Sequence, residues 1–140
     1  MLGPHLTLDL YGCNKEKLFD VEFVEKLLDK IPDMIGMHKI SKPFIIPYPG
    51  KPGSFDQGGI SAVILIAESH ISCHTWIAQE YASIDIFSCK QFDVERTIEL
   101  FTKAFEAKKV EKRMMTRGRE FPKEIPKVVP IIRRQRKTLE

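Results

Sequence analysis

The stretch ISAVILIAESHISCHTWIAQEYASIDIFSC, residues 60–89, decides the fold. Its opening, ISAVILIA (60–67), is a continuous apolar run of strand length and predicts a strand buried on both faces. ISCHTW (71–76) and YASIDIFSC (81–89) predict a hairpin joined through Ile77 to Glu80. If 71–76 is extended, Ser72, His74 and Trp76 share one face while Cys73 and Thr75 take the other. By the same parity Tyr81, Ser83, Asp85, Phe87 and Cys89 lie together on the next strand.

Working outward, HLTLDLY (5–11) alternates cleanly, with Leu6, Leu8 and Leu10 on one side, and predicts a half-buried strand. Asp20 offers an N-cap, after which Val21, Val24, Leu27, Leu28 and Ile31 recur at helical spacing until Pro32 and Gly36 end the pattern. MHKISKPFII (37–46) reads as another strand, weakened by Pro43, and PYPGKPGSFDQGG (47–59) as an irregular loop of the length that is often functional. Downstream, Asp93 caps a second helix carrying Val94, Ile98, Phe101 and Phe105 on one face. VEKRMMT (110–116) supplies a last strand. Each half thus holds a helix opening on Asp beside sheet strands. The expected class is α+β: an internally duplicated two-layer sandwich, an antiparallel sheet with two main helices on one face. The uncovered face then needs solvent-tolerant residues or a partner.

A chain of 140 residues, 43% hydrophobic and 29% charged, supports one domain with one core, expected over residues 1–120. No apolar run approaches the roughly 20 residues of a membrane span, and MLGPHLTLDLYG lacks the pattern of a secretory signal. Cytoplasmic residence is therefore expected, without a membrane partner. Cys13, Cys73 and Cys89 are an odd, scattered set that suits a reducing compartment, and the four histidines show no zinc-ligand spacing, so no metal is expected. Lys and Arg crowd residues 112–137, and 121–140 reads as a basic C-terminal tail. No RNA- or DNA-binding motif accompanies it, so the tail is expected to be solvated rather than bound to nucleic acid.

Chemistry concentrates at Glu68-Ser69-His70-Ile71-Ser72-Cys73-His74-Thr75-Trp76, a polar cluster directly after the most hydrophobic strand. The residue types alone leave several readings open. Hydroxyls and imidazoles near a turn can simply satisfy backbone groups. A Cys–His nucleophile pair is another reading, and a Ser69–His74–Asp85 set a third.

ESHISCHTW followed by YASIDIFSC resembles the core signature of the prokaryotic-type S-adenosylmethionine decarboxylase proenzymes, E-S-H-x-(S/T)-x-H-T-W and then Y-A-x-(V/I)-D-(V/L/I)-F-(S/T)-C. The likeness extends to Gly59-Ile60-Ser61, to His5 through Cys13, and to Arg117-Gly118-Arg119, covering roughly residues 3–120. It implies a carboxy-lyase that makes its own pyruvoyl cofactor by self-cleavage between Glu68 and Ser69, giving a β chain of 1–68 and an α chain of 69–140. Ser69 would be the pyruvoyl precursor and Schiff-base site, His74 the processing base, Ser61 a processing hydrogen-bond partner and Cys89 the proton donor in turnover. Phe55 and Trp76 would stack the substrate adenine. The product would feed aminopropyl groups to spermidine synthesis, and the family's homodimers of αβ units imply the same here.

One departure bears on substrate. Where the family continues H-T-W-P-E-x-G-Y-A, this chain has Ile77 and Ala78 in place of the proline and the acidic residue expected at the ribose hydroxyls. Gln79 or Glu80 is the available compensation. S-adenosylmethionine is the first expectation. The alternatives are a paralogue decarboxylating arginine or ornithine, and an uncleaved homologue that only binds a ligand.

Overall fold

The computed structural model describes residues 2–122. Its elements are β1 (Gly3–Tyr11), α1 (Lys15–Leu18), α2 (Val21–Met34), β2 (His38–Lys39), β3 (Phe44–Tyr48), β4 (Gly59–Ala67), β5 (Ser69–Trp76), β6 (Tyr81–Ser88), α3 (Val94–Phe105) and β7 (Lys109–Arg117). The strands form one antiparallel sheet in the order β2-β4-β5-β6-β1-β7, with β3 also paired to β4. The α+β sandwich expected from the sequence is the one found. Most of the basic C-terminal tail, residues 123–140, lies outside the described residues.

Alternation builds the core. Leu6, Leu8 and Leu10 of β1, Ile64 and Ile66 of β4, Ile71 of β5 and Ile86 of β6 are all fully buried beneath Val24, Leu28 and Ile31 of α2 and Phe101 and Phe105 of α3. Both main helices open as expected, the Asp20 carboxylate accepting from Phe23 N–H and the Asp93 carboxylate from Arg96 N–H, each at 3.0 Å. No helix among the described residues is long and apolar enough to cross a membrane.

Three expectations change. Pro32 does not end α2, which runs on to Met34. A proline in the last turn forfeits one helical hydrogen bond, but here its ring is buried while the chain closes after it. The actual stop is Gly36, at φ 81°, behind which Met37 N–H reaches the Pro32 carbonyl at 2.8 Å. Residues 37–46 are two short strands rather than one: both pair with β4, and between them Ser41–Pro43 leaves the ladder, the Ser41 hydroxyl accepting from Leu65 N–H at 3.0 Å in place of a backbone carbonyl. Nor is β4 buried on both faces. Ile60, Ala62, Ile64 and Ile66 face the helices, but Ser61 and Leu65 are exposed on the other side and Val63 is half-buried.

That second face carries no helix. Its strands present Phe44, Ile46, Ser61, Leu65, His70, Ser72, His74, Asp85 and Phe87, with Phe44 63% and Leu65 48% exposed. Apolar and chemically active side chains are interleaved on it.

Candidate active site

Two groups of residues lie on the open face, at opposite ends of β5. At its start, Ser69 lies between Ile66 of β4 and Ser88 of β6. Ser69 has φ 141°, a backbone region that a side chain bearing a Cβ rarely occupies and that concentrates at functional sites. In a regular strand Ser69 and His70 would point to opposite faces. The twist at Ser69 instead sets its Oγ 3.3 Å from His70 Nδ1. The preceding carbonyl, that of Glu68, accepts from Cys89 N–H at 3.4 Å, so Cys89 is tied directly to the Glu68–Ser69 junction. Burial first, and the Glu68 carboxylate second, push the Cys89 thiol up from its ordinary range, which keeps its proton on sulphur at neutral pH.

Behind His70 lies a polar relay. His70 Nε2 is 3.3 Å from Asp85 Oδ1, and the other carboxylate oxygen is 2.7 Å from His5 Nε2. Strand register explains the grouping: His5, Phe87 and His70 occupy one row across β1, β6 and β5, and Asp85 stands two residues along on the same face. The Phe87 ring lies between the two imidazoles, with centroids 5.6 Å from His5 and 6.3 Å from His70. His5 Nδ1 is buried with no hydrogen-bond partner among the described residues. A bare ring nitrogen is cheaper there than an unsatisfied N–H, which places the proton on Nε2, facing Asp85.

Further along β5, His74 pairs with Ser61 across β4, Nδ1 to Oγ 3.0 Å. Gly59 makes this register possible: a Cβ there would come 1.7 Å from the Thr75 carbonyl, so only glycine lets β4 begin this close to β5. Thr75, on the buried face, donates to the Leu18 carbonyl at 2.6 Å and accepts from Ile60 N–H at 2.8 Å, the plain structural use of a hydroxyl. Trp76 packs on Tyr81 with centroids 5.2 Å apart. Ser61, His74 and Trp76 join Tyr48, Asp56 and Gly59 around a small open pocket. Phe55 stands on the loop beside it, 79% exposed, and the Gln79 side-chain amide donates to the Phe55 carbonyl. Glu80 turns away and pairs with Lys15 at 3.8 Å, so of the two possible compensators only Gln79 reaches this loop.

Ser61 and His74 are thus brought together, as are Ser69, Glu68 and Cys89, but the two sets are not. His74 lies five residues along β5 from Ser69, roughly 16 Å of extended chain. A Ser69–His74–Asp85 set does not form, because Asp85 lies opposite Ser72 and turns to His70 and His5. A Cys73–His74 pair fails as well: Cys73 points into the core, where burial pushes its thiol up to about 12, too high for a nucleophile. The residues that sequence reasoning missed are His70 and His5. The available signal was parity, which puts His70 on the face of Ser72 and His74, with Asp85 on the same face of the neighbouring strand.

The family model described as S-adenosylmethionine decarboxylase matches residues 4–118. An S-adenosylmethionine decarboxylase proenzyme of Clostridium botulinum (strain Hall) is 34% identical over 118 residues, covering 84% of this chain and 95% of that protein. One of Persephonella marina is 36% identical over 121 residues, covering 84% and 83%. Among solved structures, the adenosylmethionine decarboxylase of Aquifex aeolicus superposes with a TM-score of 0.71 at 29% identity, over 90% of this chain and 98% of that one.

Proposed function

This chain belongs to the S-adenosylmethionine decarboxylase family, and from that premise we propose that it is a proenzyme that cuts itself between Glu68 and Ser69 and then decarboxylates S-adenosylmethionine. The observation that carries the reading is the convergence of the Ser69 hydroxyl, the Glu68 carbonyl and Cys89 at one point of the sheet. Ser69 Oγ attacks the Glu68 carbonyl carbon and converts the amide into an ester. Cys89 N–H, already on the carbonyl oxygen, steadies the charge that develops there. Loss of the Ser69 Cα proton to His74 then expels the Glu68 carboxylate. Hydrolysis of the remaining dehydroalanine releases ammonia and leaves a pyruvoyl group at residue 69. Ser61, hydrogen-bonded to His74, holds the imidazole that performs the elimination.

The site suits that cofactor. Residue 69 is half-buried and pairs across the strands with Ser88, the residue before Cys89, whose thiol keeps its proton. The pyruvoyl carbonyl supplies an electron sink for loss of carbon dioxide. Cys89 delivers a proton to the product carbon, Trp76 and Phe55 offer aromatic faces to adenine and sulfonium, and Gln79 stands where ribose hydroxyls need a polar partner. Release of ¹⁴CO₂ from carboxyl-labelled S-adenosylmethionine tests this. No release from a fully cleaved preparation would remove the substrate assignment.

A second copy completes the site. His74 of a chain is roughly 16 Å along β5 from its own Ser69, too far for proton transfer, so each centre takes Ser69 and Cys89 from one protomer and Ser61 and His74 from the other. The apolar residues of the open face, Phe44, Ile46 and Leu65 among them, are what such a homodimer would cover. Mixed dimers of Ser69→Ala and His74→Ala test it directly. Neither variant cleaves alone, but in mixed dimers the His74→Ala chain is cut, to about half of that chain under random pairing. A complete absence of cleavage on mixing would mean a site built within one chain.

A further inference from the structure

The relay His5–Asp85–His70 ends on the hydroxyl that must lose its proton for self-cleavage to begin, and the scheme above leaves that first proton unassigned. We infer that His70 is the base for the acyl shift at Ser69, and that Asp85 and His5 are its positioning residues. The inference rests on the self-cleavage reading.

The tautomers follow from the contacts. Asp85, an acceptor, faces Nε2 of both imidazoles, at 2.7 Å to His5 and 3.3 Å to His70. Each ring therefore carries its proton on Nε2. For His70 this leaves the Nδ1 lone pair toward Ser69 Oγ at 3.3 Å, the arrangement a general base requires. Asp85 is fixed in turn because His5, with only 13% of its side chain accessible, occupies the far carboxylate oxygen, and Phe87 packs against both rings. The logic is that of a hydroxyl, an imidazole and an orienting carboxylate, with a second histidine behind the carboxylate.

The step balances without an outside reagent. The Ser69 O–H proton passes to His70 Nδ1 as Oγ bonds to the Glu68 carbonyl carbon. The tetrahedral intermediate then collapses, breaking the bond from that carbon to the Ser69 nitrogen. The imidazolium returns its proton to the departing amine, so no proton is gained or lost overall. His74 acts only afterwards, on the Ser69 Cα proton. Two histidines, His70 of the chain being cut and His74 of the second copy, thus serve two consecutive proton transfers.

Hydroxylamine separates the two steps, because it splits an ester but not the original amide. Purified full-length precursors are incubated with and without hydroxylamine, and the products are weighed. His74→Ala is expected to stall as the ester, uncut alone and split at residue 68 by hydroxylamine. His70→Gln should stall earlier, uncut in either condition, with cleavage slowed about 100-fold or more. Asp85→Asn keeps the side-chain volume and should also accumulate hydroxylamine-resistant precursor; it carries the test if His70→Gln does not fold. A purely structural role for Asp85 would lower stability without changing which species accumulates. Cleavage of His70→Gln, or of Asp85→Asn, within threefold of the unmodified chain would overturn the assignment. So would a hydroxylamine-sensitive ester in either variant. If the unmodified chain itself never cleaves, the self-processing reading fails, and this inference falls with it.

Discussion

The two faces of the sheet are written into the same strands, one residue apart, yet they hold different kinds of information. Toward the helices stand Leu6, Leu8, Leu10, Ile64, Ile66, Ile71, Ile84 and Ile86, none more than 1% exposed. Toward the open side stand Ser61, His70, Ser72, His74 and Asp85, mixed with exposed apolar residues. The pleat alone separates them. Stability and chemistry should therefore be alterable independently at neighbouring positions of one strand. The open face also exposes Phe44, Ile46 and Leu65, the residues that the proposed homodimer would cover.

The sharpest way to break this division starts at Ser69. Ser69→Ala is expected to abolish self-cleavage completely, since no oxygen remains to attack Glu68, while the urea unfolding free energy changes by less than about 1 kcal/mol. Residual cutting at residue 68 would refute the assignment. The opposite experiment is on the helix side. Phe101, fully buried in α3, should cost about 3–5 kcal/mol of stability when changed to Ala, yet whatever remains folded should still cleave at the same bond. Loss of processing in a folded Phe101→Ala protein would show that the two faces are not separable. A smaller effect within the open face divides cleavage from turnover. Cys89→Ala keeps the backbone N–H on the Glu68 carbonyl, so the chain should still be cut, but decarboxylation should fall about 100-fold without the thiol proton. Normal turnover would take that role from Cys89.

Much of this was legible in the sequence because alternation reports which side of a strand is buried. HLTLDLY and YASIDIFSC show it directly. ISAVILIA does not: with Val63 and Leu65 as apolar as their neighbours, period two vanishes, and the strand reads as buried twice over when one side faces outward. The break between β2 and β3 and the survival of α2 past Pro32 were decided by pairing along β4 and by core contacts, not by local propensity. The signature residues at 68–76 and Cys89 were visible through a family resemblance. Their arrangement was not, because it depends on register and on one dihedral angle. Only the register places Asp85 opposite Ser72, and only the φ of Ser69 brings its hydroxyl to the next residue's imidazole.

The most direct test of the account is the intact mass of the purified protein under denaturing conditions, before and after incubation. The prediction is two fragments, residues 1–68 and residues 69–140, the second lighter by one ammonia than its sequence. A single full-length mass that persists through incubation would contradict self-cleavage at Glu68–Ser69, and the decarboxylase reading with it.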